Sequence, residues 1–279
     1  MDITNSIISK VYKKRYIWSH KGDHGKVLVV GGSNEYSGSP ALNALAALRS
    51  GADLVRIVTP ENITETIRSY SPDLIVHPLK GKYIVGWHVN EILSVQKDCD
   101  AMVIGGGMTK QIEVLRAIRK ILAETKISTV IDADALGEHG LTFNKNVIIT
   151  PHAKEFYNMT GIALGENMFE RITAVKQLAI DKNCIVLLKG HIDIISDGDR
   201  VALNKTGNPY MTKGGTGDSL AGIAASLLSR GVDTFDAACA AAYINGKAGD
   251  IAAQKKEEGM LATDVIKAIP YALKHKSFF

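Results

Sequence analysis

The chain has 279 residues, 46% hydrophobic and 22% charged, a globular balance that excludes a disordered or collagen-like polymer. Aromatic residues make up only 6% against 26 glycines, which favours helices packed closely on a sheet over an aromatic-rich β-sandwich. The net charge of +4 is the excess of 33 Lys and Arg over 29 Asp and Glu, the basic residues spread along the chain, too dilute for a nucleic-acid stripe but suited to an anionic small molecule.

In chain order, the basic run at residues 10–15, interrupted by Tyr12, reads as a solvated helix face. Apolar runs follow at 27–30, 54–58, 74–76, 102–104, 129–131, 147–149 and 185–188. They are continuous rather than alternating, as strands covered on both faces require. Helix-like stretches at 40–49, 111–124 and 166–180 lie between them. This repetition predicts an α/β fold with a mostly parallel central sheet and helices on both faces. Segments 191–196 and 200–203 flank Asp197-Gly198, a hairpin signal. The last third is helical and rich in small residues, at 219–228, 235–253 and 263–272; the middle segment is either a close-packing surface or core. No linker or repeat divides the chain, so one domain over 1–279 is expected.

Cys99, Cys184 and Cys239 have neither CxxC spacing nor an even framework and read as reduced core residues. The start of the chain has no apolar leader, and no run of 18 apolar residues occurs. A cytoplasmic protein with neither a membrane nor a nucleic-acid partner is expected.

Glycine and polar residues gather where the strands end: Gly31-Gly32-Ser33, Thr59-Pro60, Gly105-Gly106-Gly107, Asp132-Ala133-Asp134, Thr150-Pro151-His152 and Lys189-Gly190. Open parallel sheets bind ligands at that rim. The strongest local signal is Thr212-Lys213-Gly214-Gly215-Thr216-Gly217-Asp218-Ser219 ahead of a helix. Its glycines let the backbone turn sharply and aim N–H groups at one point, and the helix N-terminus adds partial positive charge. Asp218 then reads either as a simple first-turn carboxylate or as part of an anion site. Neither GxxxxGK[ST] nor a strand-borne GxGxxG is present.

The Gly-Gly-Thr-Gly-Asp segment resembles the anion-hole and base motif of ribokinase-like kinases, whose Asp takes a proton from the acceptor hydroxyl as phosphate arrives. Within that superfamily the chain is similar to the NAD(P)H-hydrate dehydratases from about Gly22 onward. The similarity rests on the order and spacing of His24-Gly25, 27–33, 36–41, 46–51 with 53–55, 104–108, 131–136, 150–155, 188–190 and 204–218. It implies a three-layer ribokinase-like fold. It also implies ADP-dependent dehydration of (6S)-NADH or (6S)-NADPH hydrate, by phosphorylation of the ring hydroxyl and elimination of phosphate, with AMP released. Animal members use ATP, and the residues alone leave the donor open.

By the same resemblance Asp218 is the base, and Gly215, Thr216 and Gly217 form the anion hole. Ala41, Gly107, His152 and Asp218 match positions around the hydrated dinucleotide. Lys189, Gly190, His191, Ile192 and Asp193 match the nucleotide loop, with Gly217 contributing. Relatives usually carry a threonine-like residue where Asp193 stands; a carboxylate there repels phosphate unless a cation or water faces it. Glu155 occupies the place of a carboxylate that organises Mg²⁺ through water, although Pro151-His152-x-x-Glu155 also reads as a helix start. A homotetramer and a separate NAD(P)H-hydrate epimerase are implied as partners. Many relatives carry an N-terminal epimerase domain, for which this chain is too short at its start.

The helix N-terminus is expected to keep Asp218 ionised at neutral pH, a weak base whose proton transfer is concerted with phosphate arrival. Of Asp132 and Asp134, which flank Ala133 at a strand end, at most one is expected to face the site; a turn pair for the helix through Leu136 is the other reading. Isolated His24 and His191 read as surface or hydrogen-bonded residues, and no set has zinc spacing. A superfamily kinase acting on a vitamin-precursor alcohol and a non-catalytic nucleotide sensor remain the competing functions.

Overall fold

The computed structural model describes residues 1–137 and 140–274. Among them one nine-stranded sheet contains β1 Lys26–Val30, β2 Leu54–Pro60, β3 Ile75–Leu79, β4 Ala101–Ile104, β5 Ser128–Ile131, β6 Val147–Ile149, β7 Ile185–Leu188, β8 Asp193–Ser196 and β9 Val201–Asn204. The spatial order is β3-β2-β1-β4-β5-β6-β7-β8-β9. The pairs from β3 through β7 are parallel, and β8 and β9 add antiparallel to the far edge.

Side chains alternate across each strand, so Val27 and Val29 enter one core and Leu28 and Val30 the other. The first core is closed by α1 Ser6–Val11, α2 Gly38–Arg49, α3 Thr64–Tyr70, α8 Thr216–Ser229, α9 Thr234–Lys256 and α10 Ala262–Ala272. The second is closed by α4 Val89–Gln96, α5 Ile112–Glu124, α6 Ala153–Thr160 and α7 Met168–Lys182. Helix, sheet and helix make three layers, as the continuous apolar strands required.

Boundaries differ from the sequence reading for local reasons. The third strand runs on to Leu79 because it is an edge strand, where Pro78 is tolerated. The helix expected at 166–180 starts at Met168, because Asn167 Oδ1 accepts from the amides of Phe169 and Glu170 and caps it. The basic run is not a helix face: α1 ends at Val11, Lys10 pairs with Asp236 at 2.7 Å, and Arg15 pairs with Asp53 at 2.9 Å. The small-residue helix α9 is core, its side chains buried from Phe235 to Gly246. Cys99, Cys184 and Cys239 are buried free thiols, and burial pushes the Cys184 thiol up to about 12.

Two features place the ligand crevice. The chain order reverses at β1, whose neighbours are β2 and β4. There the loops after β1 and β4 meet so closely that the Gly32 amide donates to Gly106 O at 2.9 Å, and a Cβ on Gly31 would lie 2.6 Å from that oxygen. Above them α2 crosses α8 at Gly222, where an added Cβ would lie 2.2 Å from Asn43 O. In an ordinary helix interior a Gly→Ala change stabilises by about 1 kcal/mol. Gly222→Ala is instead expected to destabilise by about 1–3 kcal/mol, because two backbones must separate; urea unfolding, with Gly86→Ala in open space as control, measures it.

Candidate active site

Asp218 lies in the first turn of α8, and the chain reaches it through a left-handed N-cap at Gly215, φ +94°. A side chain on Gly215 would strike Leu42 and the Ala262 methyl at 2.7 and 2.8 Å, so both conformation and space demand glycine. The Thr216 hydroxyl turns back into the loop, 2.8 Å from Met211 O and 2.9 Å from Lys213 O. It closes the loop, while the helix start leaves N–H groups of its first turn without intrahelical acceptors. Asn245 on α9 locks this turn, donating to Thr216 O at 3.2 Å and accepting from Ser219 Oγ at 2.7 Å.

The approach to the loop is docked on the same helix. Asp250 accepts from the Gly207 amide and from Asn208 Nδ2. Cβ atoms on Gly246 or Gly249 would collide with Thr206 at 2.3 Å or Met211 at 2.2 Å. Asn245, Asp250 and the two glycines were missed from sequence. Their only signal is a pair of glycines and polar residues interrupting an alanine-rich helix.

The Asp218 carboxylate faces α2. Ser39 Oγ donates to its Oδ2 at 3.1 Å and Asn43 Nδ2 to its Oδ1 at 3.2 Å. Gly106 closes the other side: a Cβ there would lie 3.0 Å from Oδ1. Burial and the nearby Asp132 carboxylate push the Asp218 carboxyl up to about 7, against the Ser39 bond, the Lys189 charge and the Asn43 bond. This corrects the sequence expectation of an acid held ionised by the helix. Desolvation outweighs the helix's partial charge, so Asp218 can exchange a proton near neutrality.

Lys189, just past β7, joins the other charged groups. Its ammonium lies 2.9 Å from Asp132 Oδ1 and 3.7 Å from Glu155 Oε2. A Cβ on Gly217 would sit 3.4 Å from it, so it stands beside the start of α8. Burial alone would lower its basicity, but Asp132 and Glu155 more than offset this and keep it cationic. Asp132 is 4% exposed and also accepts from Thr150 Oγ1 at 2.7 Å. Asp134 turns away and accepts from the Thr109 amide. Only one of the pair therefore reaches the site, and it does so as the partner of Lys189 rather than by a cap bond.

The remaining expected residues fall into two groups. Gly107, φ +67°, lets its loop pass Tyr36, whose Cβ would be 2.7 Å from an added methyl. Ala41 is buried, its methyl in the core. His152 is exposed and caps α6: its Nδ1 accepts from the Glu155 amide and the Glu155 carboxylate accepts from the His152 amide. An accepting Nδ1 leaves the proton of the neutral ring on Nε2. Glu155 is thus neither solvated nor free, being shared between this capping box and Lys189. Among the described residues no group of three or more His, Cys, Asp or Glu could hold a metal.

In the β7–β8 turn Gly190 and His191 are exposed, Ile192 is half-buried, and Asp193 turns inward. Its Oδ1 accepts from the Gly190 amide at 3.0 Å and its Oδ2 from Asn204 Nδ2 at 2.9 Å. These two N–H donors engage both carboxylate oxygens, and Asp193 braces the loop; burial pushes its carboxyl up to about 6. Arg171 of α7 stands beside Gly190, where a Cβ would approach its Nη2 to 3.1 Å. His24 differs from the surface reading, since its Nε2 is buried without a hydrogen-bond partner.

Residues 27–271 match the NAD(P)H-hydrate dehydratase family. The chain belongs to that family. It is 39% identical to the ADP-dependent (S)-NAD(P)H-hydrate dehydratase of Nitrosopumilus maritimus, over 98% of this chain and 96% of the relative. It is 41% identical to the bifunctional NAD(P)H-hydrate repair enzyme Nnr of Pyrobaculum aerophilum, over 93% of this chain and 52% of that protein. The chain therefore spans about half the length of the bifunctional relatives it matches. The ADP/ATP-dependent NAD(P)H-hydrate dehydratase of Bacillus subtilis, co-crystallised with ATP and Mg²⁺, superposes with a TM-score of 0.82 at 28% identity, covering 96% of each chain. The fold of this NAD(P)H-hydrate dehydratase family member is ribokinase-like.

The unfolded Asp218 carboxyl titrates near ~4, and the folded one at about 7. The folded chain binds more protons across that window, so this group's contribution is fully present below the unfolded value and is lost as pH rises through 7. Asp218→Asn is therefore expected to be more stable than the parent at about pH 8, by roughly 1–3 kcal/mol, with the gap closing near pH 4. Denaturant unfolding at the two pH values tests it; an unchanged gap would reject the raised pKa of Asp218.

Proposed function

We propose that the protein dehydrates (6S)-NADH hydrate and (6S)-NADPH hydrate with ADP as phosphoryl donor, releasing AMP and phosphate. The observation that carries this reading is the juxtaposition of Asp218, clamped on Ser39 and Asn43, with the α8 start and the Lys189 ammonium. The names of the relatives from Nitrosopumilus maritimus and Bacillus subtilis support it.

In this reading the ring hydroxyl attacks the terminal phosphorus of ADP and the bond to the AMP oxygen breaks. Asp218 accepts the hydroxyl proton as the new P–O bond forms. First-turn amides at Gly217 and the Lys189 charge stabilise the transferring group, since phosphoryl transfer depends mainly on positioning and charge. The ring nitrogen lone pair then expels phosphate by breaking the C–O bond, and loss of a proton from the adjacent ring carbon restores the dihydropyridine. Where Mg²⁺ is bound, Glu155, held by His152 and Lys189, would organise it through water, and the ion would neutralise charge on the nucleotide phosphates. Gly215 and Thr216 shape the loop, Ala41, Gly107 and His152 border the dinucleotide, and residues 189–193 border the nucleotide. One domain over 1–279, a homotetramer, a cytoplasmic setting and a functional partnership with an NAD(P)H-hydrate epimerase complete the reading. The buried reduced thiols fit that compartment.

Acid-hydrated NADH is expected to regain its reduced-nicotinamide absorbance when protein, ADP and Mg²⁺ are added together; a stable phosphorylated alcohol would indicate a kinase instead. Asp218→Asn is expected to bind ADP within a few-fold of the parent and lose about 10²- to 10⁴-fold in turnover. Near-parental turnover would remove Asp218 from the chemistry.

A further inference from the structure

Asn43 occupies the closest point between two helices and is 2% exposed. Asp218 and Gly222 are one turn apart on α8, as Ser39 and Asn43 are on α2. The bare backbone of Gly222 lets the main chain of Asn43 approach to where a Cβ would collide. That approach carries the Asn43 side chain to the Asp218 carboxylate. One amide nitrogen then serves two acceptors, Ser39 O at 2.9 Å and Asp218 Oδ1 at 3.2 Å.

The other end of the amide has no such employment. Asn43 Oδ1 is buried and meets no donor among the described residues. For packing alone, leucine has nearly the same shape and leaves no orphaned oxygen. A buried unsatisfied acceptor needs a reason, and among the described residues the only hydrogen-bond partner this side chain reaches beyond its own helix backbone is the Asp218 carboxylate.

The two carboxylate oxygens are not equivalent. Oδ1 is enclosed by Asn43 Nδ2 and by Gly106, whose added Cβ would come within 3.0 Å. Oδ2 receives only the Ser39 hydroxyl, a rotor that can turn aside. Building on the function proposed above, we infer that Asn43 is a positioning residue for that reaction: its amide fixes the Asp218 carboxylate so that Oδ2, and not Oδ1, takes the substrate's hydroxyl proton. The same bond favours the ionised form of Asp218 that must be present for the reaction to start.

The titratable groups facing Asp218 are Asp132 at the end of β5, which opposes ionisation, and Lys189 after β7, which favours it. Glu155 on α6 stands behind Lys189. Among the described residues α2 contributes the uncharged Ser39 and Asn43 there, and the β4 loop Gly106. Asn43→Leu leaves these charges in place, so a change in the acidic limb of its rate profile reports the lost bond, whereas Asn43→Asp loses the bond and adds a like charge.

The test is the pH profile of kcat/KM for the parent, Asn43→Leu, Asn43→Asp and Asp218→Asn, with ADP affinity measured on each. Asn43→Leu is expected to raise the acidic limb by about one pH unit, since a hydrogen bond to the charged form is lost. Asn43→Asp, of the same shape but bearing a carboxyl, is expected to raise it at least as far and serves if the leucine variant fails to fold. ADP affinity is expected to stay within a few-fold in both. An unmoved limb in the Asn43 variants alongside an inactive Asp218→Asn would overturn this inference and leave the proposed function standing. An active Asp218→Asn would instead overturn the role of Asp218 itself.

Discussion

The contact of two helix backbones at Gly222 is the constraint on which the site depends. A parallel sheet with its chain reversal at β1 provides a crevice, but a crevice is only a place. Chemistry there needs a carboxylate held still and away from bulk water. The α2–α8 crossing supplies both conditions, since Ser39 and Asn43 reach Asp218 only because nothing larger than a hydrogen separates Gly222 from Asn43 O. The loop ahead of α8 is equally over-determined, closed by Thr216 on itself and pinned by Asn245.

Electrostatics follow from that enclosure. Asp132, Glu155 and Asp218 surround one ammonium, Lys189, which makes direct contact with the first two. Asp218 is left without a direct cationic partner, and burial together with Asp132 lifts it toward neutrality. A group so placed can pass between its two protonation states at little cost. In the proposed reaction an incoming phosphoryl group would add further negative charge, which Lys189 and the α8 amides would then have to offset alongside the resident acids.

Much of this was legible in the residue pattern. Continuous apolar runs marked seven parallel strands because strands covered on both faces cannot alternate. Asp197-Gly198 marked the hairpin. The glycine-rich segment before α8 announced itself because only glycine accepts the left-handed step at Gly215. Asp193 was legible as a departure but not in its role: the two N–H donors that engage it come from Gly190 and from Asn204 on the next strand. Glu155 was ambiguous between a cap and a metal organiser, and the capping bonds with His152 became visible only when the helix start was in place.

By itself, then, the order of residues determined the layers, the sheet direction, the rim on which chemistry gathers and the loop that carries Asp218. These are local consequences of periodicity, glycine conformation and helix ends. Tertiary structure alone decided the acidity of Asp218, the different partners of Asp132 and Asp134, and the contacts of Asn43, Asn245 and Lys189. Each of these depends on groups far apart in sequence, such as Ser39 and Asp218, being brought within hydrogen-bond distance and stripped of water. Desolvation and charge–charge interaction belong to an environment, and no linear pattern encodes an environment.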